Sequence, residues 1–147
     1  MRNKLILTGV LLFVFGLPTA GVIYFWNDMK SKIEVSADSF AEETSRQILF
    51  DWNSKLLYEE GTTAIKDKDF ESKFGEWKSA LGKPTKFGTF KVIKTWAEPR
   101  NDMMWQIVQF ETPIEFEKGK ATLKTLVARK TVGPRWRYES FDLVPSR

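Results

Sequence analysis

From position 5 to position 26 the chain runs for 22 residues without a charge, LILTGVLLFVFGLPTAGVIYFW. As a helix such a run spans about 33 Å, matching a hydrocarbon core of about 30 Å. A polar neck follows over residues 27–35, and the apolar positions then take a helical period. Phe40, Thr44, Ile48, Trp52 and Leu56 recur every four residues, joined by Ala37, Ala41 and Leu49, while Glu42, Arg46, Asp51 and Lys55 fall on the other side. Ser36 or Asp38 is placed to cap that helix and Gly61 to end it. A shorter helix is predicted over residues 69–81, with Phe70, Phe74, Trp77 and Leu81 inward and Gly82 and Pro84 stopping it. Beyond it the period changes. Residues 86–96, 103–116, 120–132 and 135–144 are rich in β-branched and aromatic side chains and are separated by turn formers. Such short connections imply antiparallel hairpins, and Pro113 predicts a bulge or an edge position. The expected fold is α+β: an N-terminal transmembrane helix, then two helices packed on a curled four-stranded antiparallel sheet.

Length admits one domain beyond the apolar start. Residues 1–27 are expected to be a transmembrane anchor with a short cytoplasmic N-terminus, because Arg2, Lys4 and the α-amino group precede the apolar run. Lys30 and Lys32, just past the run, oppose that orientation. Tyr24 and Trp26 fall where an interfacial aromatic belt would lie. Residues 28–147 then form an extracytoplasmic α+β half-barrel domain, located at the cell's inner membrane on its periplasmic or extracellular side. The rival reading is a signal peptide cleaved after Ala20. It is disfavoured because Pro18 stands where a small residue is wanted and the apolar run continues through Val22, Ile23, Tyr24 and Phe25.

Composition excludes several chemistries. There is no cysteine and no histidine, which removes thiolate catalysis, disulfides, thiolate metal sites and the usual general base near neutral pH. No cofactor or metal is expected. Carboxylates are the remaining acid–base candidates: Glu59 and Glu60 at the end of the long helix, and Glu111, Glu115 and Glu117 along the second strand. A solvated strand face opposite a basic strand explains the latter three more simply than catalysis does.

Charge is polarised along the chain. The net charge is +4, yet residues 27–60 hold eight acids against four bases, while residues 118–137 hold seven bases and no acid. Lys120, Lys124, Lys130, Arg135 and Arg137 are the candidate partner- or lipid-binding basic surface. Nucleic acid is not an expected partner for a domain outside the cytoplasm. Trp52, Trp77, Trp96, Trp105 and Trp136 are candidates to line a pocket between helix and sheet, although aromatic core filling accounts for them too. Met103, Met104 and Trp105 offer an adaptable contact surface, with a strand start as the plainer account.

The run KSALGKP from Lys78 to Pro84, the hairpin FEKGKAT from Phe116 to Thr122, and GPRWRY from Gly133 with Phe141, Asp142 and Leu143 carry a resemblance. Residues 36–144 resemble the cystatin-like or nuclear-transport-factor-like half-barrel domains of uncharacterised bacterial membrane-anchored envelope proteins. Those pack a long helix on a sheet whose last hairpins read roughly F-E-x-G-x-A and G-x-W-x-x-x-x-F. A second similarity, through the A-L-G-x-P entry to the sheet, is to inner-membrane assembly factors of the Tim21 and cytochrome oxidase assembly type. Neither resemblance brings catalytic residues. The functional expectation is a non-enzymatic membrane-tethered envelope domain that acts as a protein-interaction or assembly module for a membrane or envelope protein. The alternative is binding or sensing of a small apolar or anionic ligand in the aromatic space between helix and sheet.

Overall fold

The computed structural model describes residues 21–147 with their side chains and, for residues 2–20, the helical course of the backbone. The chain divides into two units, Met1–Ile33 and Glu34–Arg147. Helix α1 (Arg2–Asp51) runs through the first and opens the second. In the first unit Val22, Ile23, Tyr24, Phe25 and Trp26 are all exposed. The expected N-terminal transmembrane helix is corrected: among the described residues no helix is long and apolar enough to cross a membrane. Past Trp26 the described part of α1 turns polar at once, with Asp28, Lys30, Lys32 and Glu34. Arg2, Lys4 and the cleavage point at Ala20 lie outside the residues described with side chains.

In the second unit α1 presents Ala37, Ala41, Ser45, Ile48 and Leu49, all buried. The small residues at every fourth position let the helix backbone approach the sheet closely. No cap interrupts α1 near Ser36, because the apolar stripe continues in helical phase through it. The helix stops earlier than its stripe predicts. Trp52 is left-handed, with φ 50°, and the amides of Trp52 and Asn53 return to the carbonyls of Leu49 (3.4 Å) and Ile48 (2.8 Å). This is the Schellman pattern with tryptophan at the position that glycine usually takes. Stacking of Trp52 on Phe116 (centroids 6.0 Å apart) and its edge contact with Phe74 (5.9 Å) offset a left-handed cost of about 1–2 kcal/mol. Asn53 then caps α2 (Ser54–Glu59) by accepting from the Leu56 amide at 3.0 Å. A one-turn α3 (Thr63–Lys66) follows, and α4 (Phe70–Leu81) begins on an Asp69 cap and ends at Gly82, φ 72°. Two expected helices are thus four.

The sheet has five strands where four were expected: β1 (Pro84–Phe87), β2 (Lys91–Arg100), β3 (Met103–Phe116), β4 (Gly119–Lys130) and β5 (Arg137–Pro145). All pairings are antiparallel, in the order β1-β3-β4-β5 with β2 on β3 as well. The extra strand comes from a break at 88–90. Gly88 presses on Pro113, where a Cβ would sit 2.6 Å from the proline Cγ, and its amide donates to the Pro113 carbonyl at 2.7 Å. β3 therefore pairs with β2 up to Glu111 and with β1 from Ile114. Pro113 sits in the changeover. Within a strand N–H and C=O of one residue share an edge, so its missing N–H faces that gap and costs the β4 ladder nothing.

The inner face carries Val108, Phe110, Ile114 and Phe116 of β3, Leu123 and Val127 of β4, and Tyr138, Phe141 and Leu143 of β5, all buried. The helices of the second unit pack on it, as the pairs Phe40–Tyr138 (5.2 Å) and Phe74–Phe141 (6.0 Å) record. At the centre the Tyr138 hydroxyl is 2.7 Å from the Ser45 Oγ and donates to the Ala41 carbonyl at 3.2 Å. Burial pushes that phenol well above its ordinary range. Gly61 joins β5 through a bridge at Tyr138; a Cβ there would meet the Ile65 Cγ2 at 2.5 Å.

Candidate interaction surface

Strand alternation sends one set of side chains away from the helices, and the register arranges them in rows across the sheet. One row reads Lys91, Glu111, Lys124, Asp142, alternating in sign over four strands. A second charged row, beyond Pro113, Thr122 and Val144, reads Lys86, Glu115, Lys120. Within them Lys124 Nζ lies 3.6 Å from Glu111 and Lys120 Nζ 3.8 Å from Glu115. Glu117 is elsewhere, in the β3–β4 turn, accepting from the Lys83 amide at 3.0 Å and so tying the turn to the end of α4. Glu111 and Glu115 are thus rungs of a charged ladder on an open face.

The same face changes character toward the β2–β3 hairpin. There the outward residues are Lys94, Trp96, Glu98 and Arg100 of β2, Met103, Trp105 and Ile107 of β3, and Ala128 and Lys130 of β4. The turn between β2 and β3 is Asn101-Asp102, with φ 48° and 62°, the pair of left-handed residues that a two-residue hairpin needs. Ile107 and Ala128 are fully buried although they point away from the helices. Cations lie over the indoles: Lys94 over Trp96 at 5.2 Å, Arg100 over Trp105 at 5.6 Å and Lys130 over Trp105 at 5.8 Å. Arg100 also binds Glu139 on β5, with one contact at 3.1 Å, and pairs with Glu98. Trp96 Nε1 donates to Glu98 at 3.1 Å. These bonds from Trp96 and then Arg100 hold Glu98 below the usual carboxylate range, and Glu139 chiefly holds Arg100 above its own. Met103 and Met104 stand exposed at the tip, and Ile93 is exposed beside the bulge of β2.

The structure does not bring the five predicted basic residues together as one patch. Lys120 and Lys124 are neutralised in the ladder, Lys130 belongs to the aromatic end, and Arg137 faces outward opposite Ala128. Arg135 lies apart, paired with Glu60 at 2.8 Å beside an open groove of about 460 Å³ between α1 and the 134–136 turn. The five predicted indoles divide as well. Trp52 and Trp136 are buried on the helix side and Trp77 is half-buried on α4; Trp96 and Trp105 face the other way. Trp136 donates to the Ser36 Oγ at 2.9 Å and carries the Arg129 guanidinium at 4.6 Å over its ring. Arg129 in turn donates to the buried Gln106 at 2.8 Å, and burial lowers its basicity.

A second open groove of about 450 Å³ runs between α1 and the β1–β2 break, past Asp38, Glu42, Arg46 and Phe87. Arg46 lies 4.7 Å over the Phe87 ring. Asp38 has an inaccessible Oδ1 with no hydrogen-bond partner among the described residues, and burial, then Glu42, raises its pKa. Among the described residues no group of three acidic side chains is set to hold a metal ion.

Sequence reasoning missed Lys94, Glu98, Arg100 and Glu139. The signal was present for three of them: Lys94, Trp96, Glu98 and Arg100 alternate, which puts them on one strand face. Reading Glu98 to Asp102 as one long turn hid it. No family model, curated protein or solved structure matches this chain.

Proposed function

We propose that the chain is a non-enzymatic interaction module that binds a protein partner, in the manner of an assembly factor for a larger complex. The observation that carries this reading is the aromatic–cationic end of the outer face: two half-buried indoles under Lys94, Arg100 and Lys130, next to exposed Met103 and Met104. Tryptophan, arginine and methionine are the side chains enriched where partners bind, since they bury much area at low entropic cost or adapt to a contour. The Arg100 pairs with Glu98 and Glu139 hold that surface in one shape before any partner arrives. The alternative, a small apolar or anionic ligand between helix and sheet, has less support, because the five indoles are divided between the two faces and share no single lining.

A photo-crosslinking amino acid at Met103 of the full chain, activated in cells, tests the proposal. A discrete protein adduct is expected at that position, absent when the probe stands at Ser79 on α4 and lost in the Trp105→Ala background. No adduct, or the same adducts from Ser79, overturns it.

A further inference from the structure

The two edges of the sheet are unlike. β5 is capped in part: the Tyr138 amide donates to the Glu60 carbonyl and the Thr62 amide to the Tyr138 carbonyl, both at 2.8 Å. β2 pairs with β3 alone, and among the described residues its outer edge makes no backbone bond to another segment. None of its ten residues is buried. Along this side three neighbouring outward positions are lysines, Lys86, Lys91 and Lys94. All three are exposed, and among the described residues none has a carboxylate within ion-pair distance.

Building on the interaction reading above, we propose that the free edge of β2 binds an extended acidic segment of the partner by antiparallel strand addition. Main-chain bonds along an open edge supply affinity without regard to sequence, and the outward side chains supply the choice. The rows already alternate Lys91, Glu111, Lys124, Asp142, so a carboxylate opposite Lys91 extends the alternation by one strand, and another opposite Lys94 adds a second pair. Beyond them Trp96 offers its ring to an apolar side chain. Read from its N-terminus, the incoming strand presents an apolar residue and then two acids on alternate positions. A second copy of this chain is a poorer occupant: two β2 edges paired about Lys91 and Lys94 set lysine against lysine, and the edge bearing Asp142 is capped at Tyr138.

The probe is a fluorescently labelled peptide TVFTETETV, titrated by anisotropy against the full chain, with TVFTKTKTV as its control. The acidic peptide is expected to bind at least tenfold more tightly than the lysine peptide, a difference of about 1.4 kcal/mol. The double variant Lys91→Glu/Lys94→Glu is expected to reverse that preference, and bound acidic peptide to slow amide exchange across residues 91–100. Equal binding of the two peptides, no binding, or exchange protection outside β2 overturns strand addition at this edge, as does concentration-dependent self-association that protects β2 without peptide. Should the peptides fail while the Met103 adduct persists, the docking mode falls and the interaction reading stands.

Discussion

The Tyr138 hydroxyl is buried in the core, and its partners show how a core tolerates it. It meets Ser45 and the Ala41 carbonyl, both on α1, so one phenol ties the last strand to the long helix. A buried hydroxyl left without a partner costs about 1–3 kcal/mol. Tyr138→Phe is therefore expected to destabilise the protein by roughly 1–2 kcal/mol in urea denaturation. Ser45→Ala should cost much less in that background than alone, because its partner has already gone; equal costs in both backgrounds would deny the coupling. Asp38 behaves oppositely. Burial and Glu42 raise its pKa, so the folded state binds its proton more tightly than the unfolded chain does. The favourable term is thus present at acid pH and is lost as pH rises through the folded pKa. Asp38→Asn should unfold at higher urea than the parent at pH 7, and the gap should close as pH falls below the ordinary aspartate value.

Elements were legible where one period ruled and illegible where two demands met. Helix α4 follows its apolar spacing between an aspartate cap and Gly82, and both ends were readable. The end of α1 was not, because Trp52 belongs to the apolar stripe yet takes the left-handed position that a glycine would have announced. The β1–β2 break was hidden for a related reason: Gly88 is needed for its closeness to Pro113, a contact 25 positions away that local pattern does not carry. The candidate surface was half visible. The parity of Lys120, Lys124 and Lys130 was in the sequence, but their neutralisation depends on a register fixed only by the hairpins. That register makes a prediction. Glu111→Lys would put three lysines side by side in one row and should cost on the order of 1 kcal/mol at low salt. At 1 M salt, where screening acts within about 3 Å, most of that cost should vanish. Reversing all four signs of the row, from Lys91 to Asp142, should restore stability. A penalty that ignores salt would mean that packing, not charge, sets it.

Across the whole molecule the core and the candidate surface belong to one unit. Every buried apolar side chain described falls within Glu34–Arg147 except Ile33. That unit holds the sheet, the three short helices and the part of α1 that meets Tyr138. It is also long enough to bury a core without disulfide or metal staples. A fragment of residues 34–147 is accordingly expected to fold by itself, with near-UV circular dichroism from its indoles and one cooperative urea transition. Starting instead at residue 46 removes Ala37, Ala41 and Ser45 together. The Tyr138 hydroxyl then loses both partners, and the inner face of β5 loses the helix that shields it from water. This shorter fragment is expected to show no cooperative transition. If both fragments fold equally well, the sheet and the short helices suffice, and α1 is a passenger on the domain instead of part of its core. If neither folds, the first unit contributes stability that the burial of its described residues does not reveal.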